Sequence, residues 1–373
     1  MDHIQAPAAS GTRQAFVYDG RISELYGVFL LNLLLTIITL GIFRFWAITR
    51  LRRYLWSHLQ FEGTRLSYTG KGKEMFLGFM VAMVVTAIFS RVASEAMVAG
   101  GIARTLMLVL AYPILLTLLG AARFAAQRYR LSRTEWRGIR GGMEGSPIRY
   151  GLIWTAYMAG VVLSLWQAIP WMQTGLARRR INASRFGSAV FACEALGRRL
   201  YPVWLATWVG SLLLLGAFIY IAIYGNAPEL KILLSNQTAS GRAGELAAHL
   251  LPELVLALVV FSAGFALLAT WYFASLTRLI IGGTRVTIPG AAAIQLSSSV
   301  SPASLFWLFF FNGLIGLFTL GLGLPIVLHR SVGYFARTTL MTGTFDAHAL
   351  LQSTEAKPAL GEGFLQALDP GVI

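Results

Sequence analysis

The stretch NLLLTIITLGIFRFWAITRLRRYLWSHLQFEG at residues 32–63 is echoed by NGLIGLFTLGLGLPIVLHRSVGYFARTTLMTG at residues 312–343, at a constant offset of 280 positions with no gap. Asn32 aligns with Asn312, Thr39-Leu40-Gly41 with Thr319-Leu320-Gly321, and Arg50 and Tyr54 with Arg330 and Tyr334. Each copy reads as an apolar helix carrying an asparagine, a Thr-Leu-Gly break, and a basic amphipathic stretch. Internal repeats set an architecture, so the fold is read outward from this one.

The surrounding composition identifies a membrane protein. Of 373 residues, 56% are hydrophobic and 13% charged, against roughly 25% charged in an ordinary soluble domain. Uncharged runs fall at 25–43, 75–90, 105–122, 150–177, 200–228, 254–277 and 286–329. A bilayer is spanned by about 20 apolar residues, so most of these are long enough for a helix. The expected fold is an all-α integral membrane protein: a pseudo-repeated bundle of about seven apolar helical segments, some re-entrant, with basic amphipathic cytoplasmic helices ending in short strands or turns. Residues 1–24 are polar and lack a basic region before a short apolar core, so no cleavable signal peptide is expected. The single cysteine, Cys193, excludes an intrachain disulfide and a multi-cysteine metal site.

The net charge of +15 is distributed unevenly. Residues 44–74, 123–149 and 178–199 each net +5, and 278–285 and 330–337 add +2 each. The positive-inside rule puts all five stretches in the cytoplasm. The run 150–177 then has +5 at both ends, yet its 28 residues are too few for two crossings. Either the rule fails there or the segment dips in and returns; re-entry requires its backbone to be satisfied by protein or a hydrated cavity. The run after Val286 poses the same conflict.

A fainter copy lies between the two clear ones, with Ser164-Leu165 and Pro170-Trp171 in the places of Thr39-Leu40 and Phe45-Trp46. Short glycine-containing pieces follow each basic helix, including Phe61-Glu62-Gly63-Thr64 and Trp136-Arg137-Gly138, and read as short strands or turns. The expected divisions are a polar segment 1–24, membrane repeats 25–149 and 150–302, a partial repeat 303–345, and an acidic tail 346–373.

Residues 39–46 (TLGIFRFW), Arg52-Arg53-Tyr54, Tyr68-Thr69-Gly70, 129–140 (YRLSRTEWRGIR) and Ser184-Arg185-Phe186-Gly187 together resemble the YjgN-like bacterial inner-membrane proteins, over nearly the whole chain from Phe16 to about Phe345. The resemblance implies a compartment but no reaction and no catalytic residues, since that family is a domain of unknown function.

Two classes of candidate residue remain. Asn32, Thr39, Gly41, Asn312, Thr319 and Gly321 are candidates to line a solute path, because polar groups and broken helices inside a membrane expose backbone and amide groups. Helix-to-helix hydrogen bonding and close packing are the competing structural roles. Arg50, Arg53, Arg123, Arg128, Arg130, Arg178 and Arg179 are candidates for anionic lipid or phosphate, because arginine offers a planar fork of donors where helices leave the membrane. Nucleic acid is not an expected partner, since the positive charge is interleaved with spans. No nucleophile with a base, metal-ligand spacing or phosphate loop is present in the sequence, so no enzyme, cofactor or metal is expected. The expected function is a transporter or channel-like protein for a small solute or lipid; the alternative is a scaffold binding anionic lipid or a partner protein. Oligomeric state is left open.

Overall fold

Two dipeptides, Glu62-Gly63 and Arg137-Gly138, have left-handed backbone at both positions, with φ of 47° and 68°, and 50° and 76°. Two consecutive positive φ values make the tight turn that joins antiparallel strands without splaying them, and glycine takes the second place without a Cβ penalty. In the computed structural model, which describes residues 11–221, 242–347 and 349–352, these turns close hairpins in an eleven-stranded antiparallel sheet. The strands are β1 (Arg13–Gln14), β2 (Val17–Tyr18), β3 (Leu59–Phe61), β4 (Thr64–Tyr68), β5 (Thr134–Trp136), β6 (Ile139–Met143), β7 (Ser184–Phe186), β8 (Ala189–Cys193), β9 (Thr284–Thr287), β10 (Ile294–Ser298) and β11 (Thr339–Thr342).

Their order is β1-β11-β10-β9-β8-β7-β6-β5-β4-β3-β2. The two ends of that order, β1 and β2, are halves of one stretch interrupted only by Ala15-Phe16. Arg13 pairs with Met341 on one side and Val17 with Gln60 on the other. The sheet therefore curls into a nearly closed barrel, which leaves few unpaired edge groups to template aggregation.

This overturns the all-α expectation. The glycine-bearing pieces read as short strands or turns are hairpins of one sheet, assembled from strands of two to five residues. The expectation of about seven apolar helical segments is also corrected: among the described residues, four helical stretches, Gly72–Ala99, Gly101–Ser132, Gly197–Tyr220 and Pro252–Gly282, are long and apolar enough to cross a membrane. Ile22–Ile38 and Pro302–Phe318 are apolar but only 17 residues long, about 25 Å at 1.5 Å per residue.

The helices are inserted between strands in pairs: α1 (Ile22–Ile38) and α2 (Arg44–Ser57) between β2 and β3, and α3 (Gly72–Ala99) and α4 (Gly101–Ser132) between β4 and β5. Then α5 (Pro147–Leu163) and α6 (Ile169–Ala183) separate β6 from β7, α7 (Gly197–Tyr220) and α8 (Arg242–Gly282) separate β8 from β9, and α9 (Pro302–Phe318) and α10 (Leu324–Thr338) separate β10 from β11. In every case the strands on either side are hydrogen-bonded neighbours. Each helix pair thus leaves the sheet and returns beside its point of departure, which explains how residues 150–177 can be flanked by positive charge at both ends.

Two compact units are distinguished. One contains the whole sheet and comprises Met1–Gly197, Arg278–Ser299 and Asn312–Ile373. The other comprises Arg198–Thr277 and Val300–Phe311. Within the second, α7 and α8 pack through Trp204 on Tyr272 and Phe218 on Phe261, with ring centroids 5.1 and 5.5 Å apart. In the first, one core cluster fills the barrel interior, where Trp136, Ile288, Ile294 and Met341 are buried, and two more form around Leu25, Leu55 and Leu328 and around Phe124, Tyr150 and Leu176.

Candidate functional site

Three helix pairs share one way of turning back. After α1, Leu40 and Gly41 take φ of 50° and 90°; after α9, Leu320 and Gly321 take 49° and 89°; after α5, Leu165 and Trp166 take 50° and 73°. The Gly41 N–H reaches back to Thr36 O at 2.7 Å, Gly321 to Gly316 O at 3.2 Å and Trp166 to Val161 O at 2.8 Å, closing the last turn in a Schellman manner. The hydroxyl of Thr39 accepts from Phe43 N (2.9 Å) and donates to Leu35 O (2.8 Å). Thr319 repeats this with Gly323 N and Ile315 O, and Ser164 with Ala168 N and Val161 O. The backbone groups that a break would free are consequently occupied. The side chains at the bends point outward: Leu40 is 94% exposed and Leu320 91%.

Asn32 lies about two helical turns before such a bend, buried where α1 meets α2. Its Nδ2 donates to Ala47 O at 3.3 Å; a carbonyl can only accept, which fixes the orientation of the amide. Its Oδ1 is buried and has no hydrogen-bond partner. Such an acceptor costs about 1–3 kcal/mol unless something donates to it. Beside it opens a cleft of about 390 Å³, lined also by Arg50, Arg53, Tyr54 and Ser57. The Arg50 guanidinium sits 5.0 Å above the Phe43 ring, and Arg53 Nη2 donates to Gly70 O at 3.4 Å. Neither forms an ion pair among the described residues. Tyr54 Oη donates to Arg21 O and accepts from Arg21 N, both at 2.9 Å. Desolvation raises its pKa above the usual phenol value, so it stays neutral and adds no negative charge. The cleft is therefore lined by two guanidinium groups, one of them also held by Gly70, and by an asparagine whose oxygen is buried and unpartnered.

The aligned asparagine is already satisfied. Asn312 Nδ2 donates to Ser331 Oγ at 3.1 Å, and Arg330 Nε donates to Asn312 Oδ1 at 3.2 Å. Of the sequence candidates, Asn32, Arg50 and Arg53 meet in one cleft, whereas Thr39, Gly41, Thr319 and Gly321 form the bends. The other arginines lie elsewhere: Arg123 stacks on Trp154 at 4.4 Å, Arg128 donates to Gly145 O at 3.1 Å, Arg130 belongs to α4, and Arg178 and Arg179 to α6.

One cavity was missed by sequence reasoning. The barrel encloses about 230 Å³ lined by apolar groups, with Phe61, Trp136, Phe186 and Phe345 among its walls. The signal that could have found it is the recurrence of an aromatic just before each two-residue turn, at Phe61, Trp136 and Phe186.

A family described as bacterial protein of unknown function (DUF898) matches residues 13–367, from β1 to beyond β11, and so takes in every strand of the barrel. The chain belongs to this family. Curated relatives are named inner membrane protein YjgN: one from Escherichia coli O157:H7 is 28% identical over 40% of this chain and 36% of its own length. Another from Escherichia coli K12 is 33% identical over 26% of this chain and 24% of its own, and one from Salmonella typhimurium LT2 is 29% identical over 18% of each. The chain thus aligns with about a third or less of the length of these relatives. No solved structure matches it. The resemblance to YjgN-like proteins drawn from the motifs is thereby established, as is membership of a membrane-protein family whose activity is unknown.

Proposed function

We propose that this protein binds anionic phospholipid at the cytoplasmic face of a bacterial inner membrane, with the α1–α2 cleft as its headgroup site. The observation that carries this reading is the unpartnered Asn32 oxygen beside Arg50 and Arg53. Two guanidinium groups suit a phosphate, and a buried acceptor suits a headgroup that also carries a hydroxyl, as phosphatidylglycerol does. The bends fit the same picture. Hydrocarbon is about 30 Å deep, α1 is about 25 Å long, and its exposed leucine tip with an internally bonded turn suits insertion from one side and return. The matching bends of α1 and α9 also support an internal repeat.

The test is native mass spectrometry of protein released from nanodiscs holding equal phosphatidylglycerol and phosphatidylcholine. Wild type is expected to retain phosphatidylglycerol in preference, and Arg50→Glu with Arg53→Glu to lose about tenfold of that preference. Retention unchanged by the double reversal would sink the proposal. Sidedness is checked separately in a Cys193→Ser background: Ser67→Cys on β4 is expected to be labelled from the cytoplasm, and Val98→Cys at the far end of α3 from outside.

Transport of a small solute or lipid is the second reading, and the same buried oxygen between two short helices favours it. Binding is preferred because the threonine and glycine positions of the breaks are engaged in the turns themselves. Solute or lipid flux in liposomes, abolished by Asn32→Leu, would reverse that preference. We read the protein as a binder without catalytic activity.

A further inference from the structure

A sheet of about eight strands closes around an interior that side chains just fill or that holds one small ligand, and the diameter grows with strand number. Here β1 and β2 are halves of a single stretch, so the ring has ten strand positions, more than its side chains fill. Six aromatic rings line it, including Phe345, which lies edge-on to Phe61 and Trp136 with centroids 4.8 and 5.5 Å away. About 230 Å³ remains.

The two ends of that space differ. At the end carrying the hairpin turns, the chain beyond β11 forms a stopper: Gln352 Nε2 donates to Gly138 O at 2.7 Å, Ser188 N to Leu351 O at 3.0 Å, and Leu350 is buried against the cavity. At the helix end the lining is Leu131 and Thr134, at the junction of α4 and β5. The Thr134 hydroxyl is spent on Arg130 O (2.8 Å) and Trp56 Nε1 (2.9 Å). Among the described residues that line it, no polar group is left to hold water, and apolar cavities of this kind stay dry and take up apolar molecules.

We propose that the barrel interior is a binding site for one medium-length alkyl chain, inserted from the helix end with its terminal methyl against the Phe345–Leu350 stopper. A cavity of ~150 Å³ holds benzene; this one, half as large again, takes about nine carbons of an unbranched chain. A free fatty acid and the acyl chain of a single-chain phospholipid present the same group. The site is separate from the α1–α2 cleft and stands whether or not that cleft binds a headgroup.

The experiment uses the full chain in nanodiscs of long-chain phospholipid, photolabelled with fatty acids of 6, 10 and 16 carbons bearing a terminal diazirine, followed by peptide mapping. A parallel arm carries the 10-carbon probe on a lysophospholipid, and the arm that labels identifies the source of the chain. Labelling of the β4, β8 and β10 peptides is expected to be at least fivefold greater for 10 carbons than for 6 or 16. Ala189→Trp fills the cavity and is expected to bring those adducts to background while adducts on α3 and α7 persist. Should that variant fail to fold, Leu296→Phe removes part of the space and is expected to shift the optimum toward 6 carbons. Absence of barrel adducts with every probe, or barrel adducts indifferent to chain length and to filling, would overturn the assignment.

Discussion

The helix pairs α1–α2 and α9–α10 bend through backbone angles that agree within about a degree, yet their aligned asparagines meet different fates. Asn312 is closed off by Arg330 and Ser331, whereas Asn32 holds one long bond and leaves an oxygen waiting beside Arg50 and Arg53. The aligned arginine accounts for the contrast: Arg330 turns onto its asparagine, while Arg50 lies over Phe43. The position aligned with Phe43 is Gly323, which offers no ring. Two positions, Phe43 against Gly323 and Leu51 against Ser331, thus separate a cleft with an unpartnered acceptor from a completed packing contact.

The comparison can be broken most directly by removing both amides. Asn312→Leu deletes the acceptor of a charged donor and the partner of Ser331, and is expected to cost about 2–3 kcal/mol. Asn32→Leu removes a weak bond together with an unsatisfied oxygen and is expected to change stability by less than about 1 kcal/mol. Denaturant unfolding in detergent reads both; equal losses would show that the two asparagines are equivalent after all. Phe43→Gly sharpens the point, since releasing Arg50 is expected to raise the cost of a subsequent Asn32→Leu.

The bends should respond alike. Gly41→Ala and Gly321→Ala each place a Cβ in open space at φ near +90°, so backbone strain alone acts, at about 1–2 kcal/mol in both. Thr39→Val and Thr319→Val each remove an acceptor for a turn N–H and are expected to cost about 1 kcal/mol. A large inequality within either pair, measured in the same unfolding assay, would mean that the two tips do not share a role.

The smallest effect is one of pH. His329 on α10 is kept below its ordinary pKa by burial and then by Arg337. The folded state therefore binds fewer protons than the unfolded chain, so stability is full above about pH 7 and declines as pH falls below about 6.5. Its aligned residue on α2 is Thr49, which does not titrate. His329→Gln is expected to flatten the melting temperature between pH 7.5 and 5.5, and Thr49→Val to leave that slope unchanged.

Only the members of the candidate cleft were legible beforehand: Asn32 was singled out for a solute path and Arg50 and Arg53, one helical turn apart, for anionic groups, and it is the packing of α1 on α2 that brings the three together. The distinction between Asn32 and Asn312 was not legible, since it rests on packing: the later arginine lies over Phe43 in one copy and donates to Asn312 in the other, where Gly323 and Ser331 stand in the places of Phe43 and Leu51. The barrel was hidden for a different reason. Strands of two to five residues are too short for an alternating pattern to emerge, and each successive strand pair is separated from the next by helices that dominate the composition.

Membrane character, the clustering of positive charge into five stretches, and the similarity of residues 32–63 to 312–343 all follow from the sequence by itself, because hydropathy, charge and offset are properties of neighbours along the chain. The closure of the barrel was decided only in three dimensions. Arg13 meets Met341 and Val17 meets Gln60, and main-chain hydrogen bonds carry no side-chain label by which such partners could be recognised in advance. Once the strands are paired, every intervening helix pair must begin and end at neighbouring strands of one sheet, a constraint that no run of apolar residues or charges could announce.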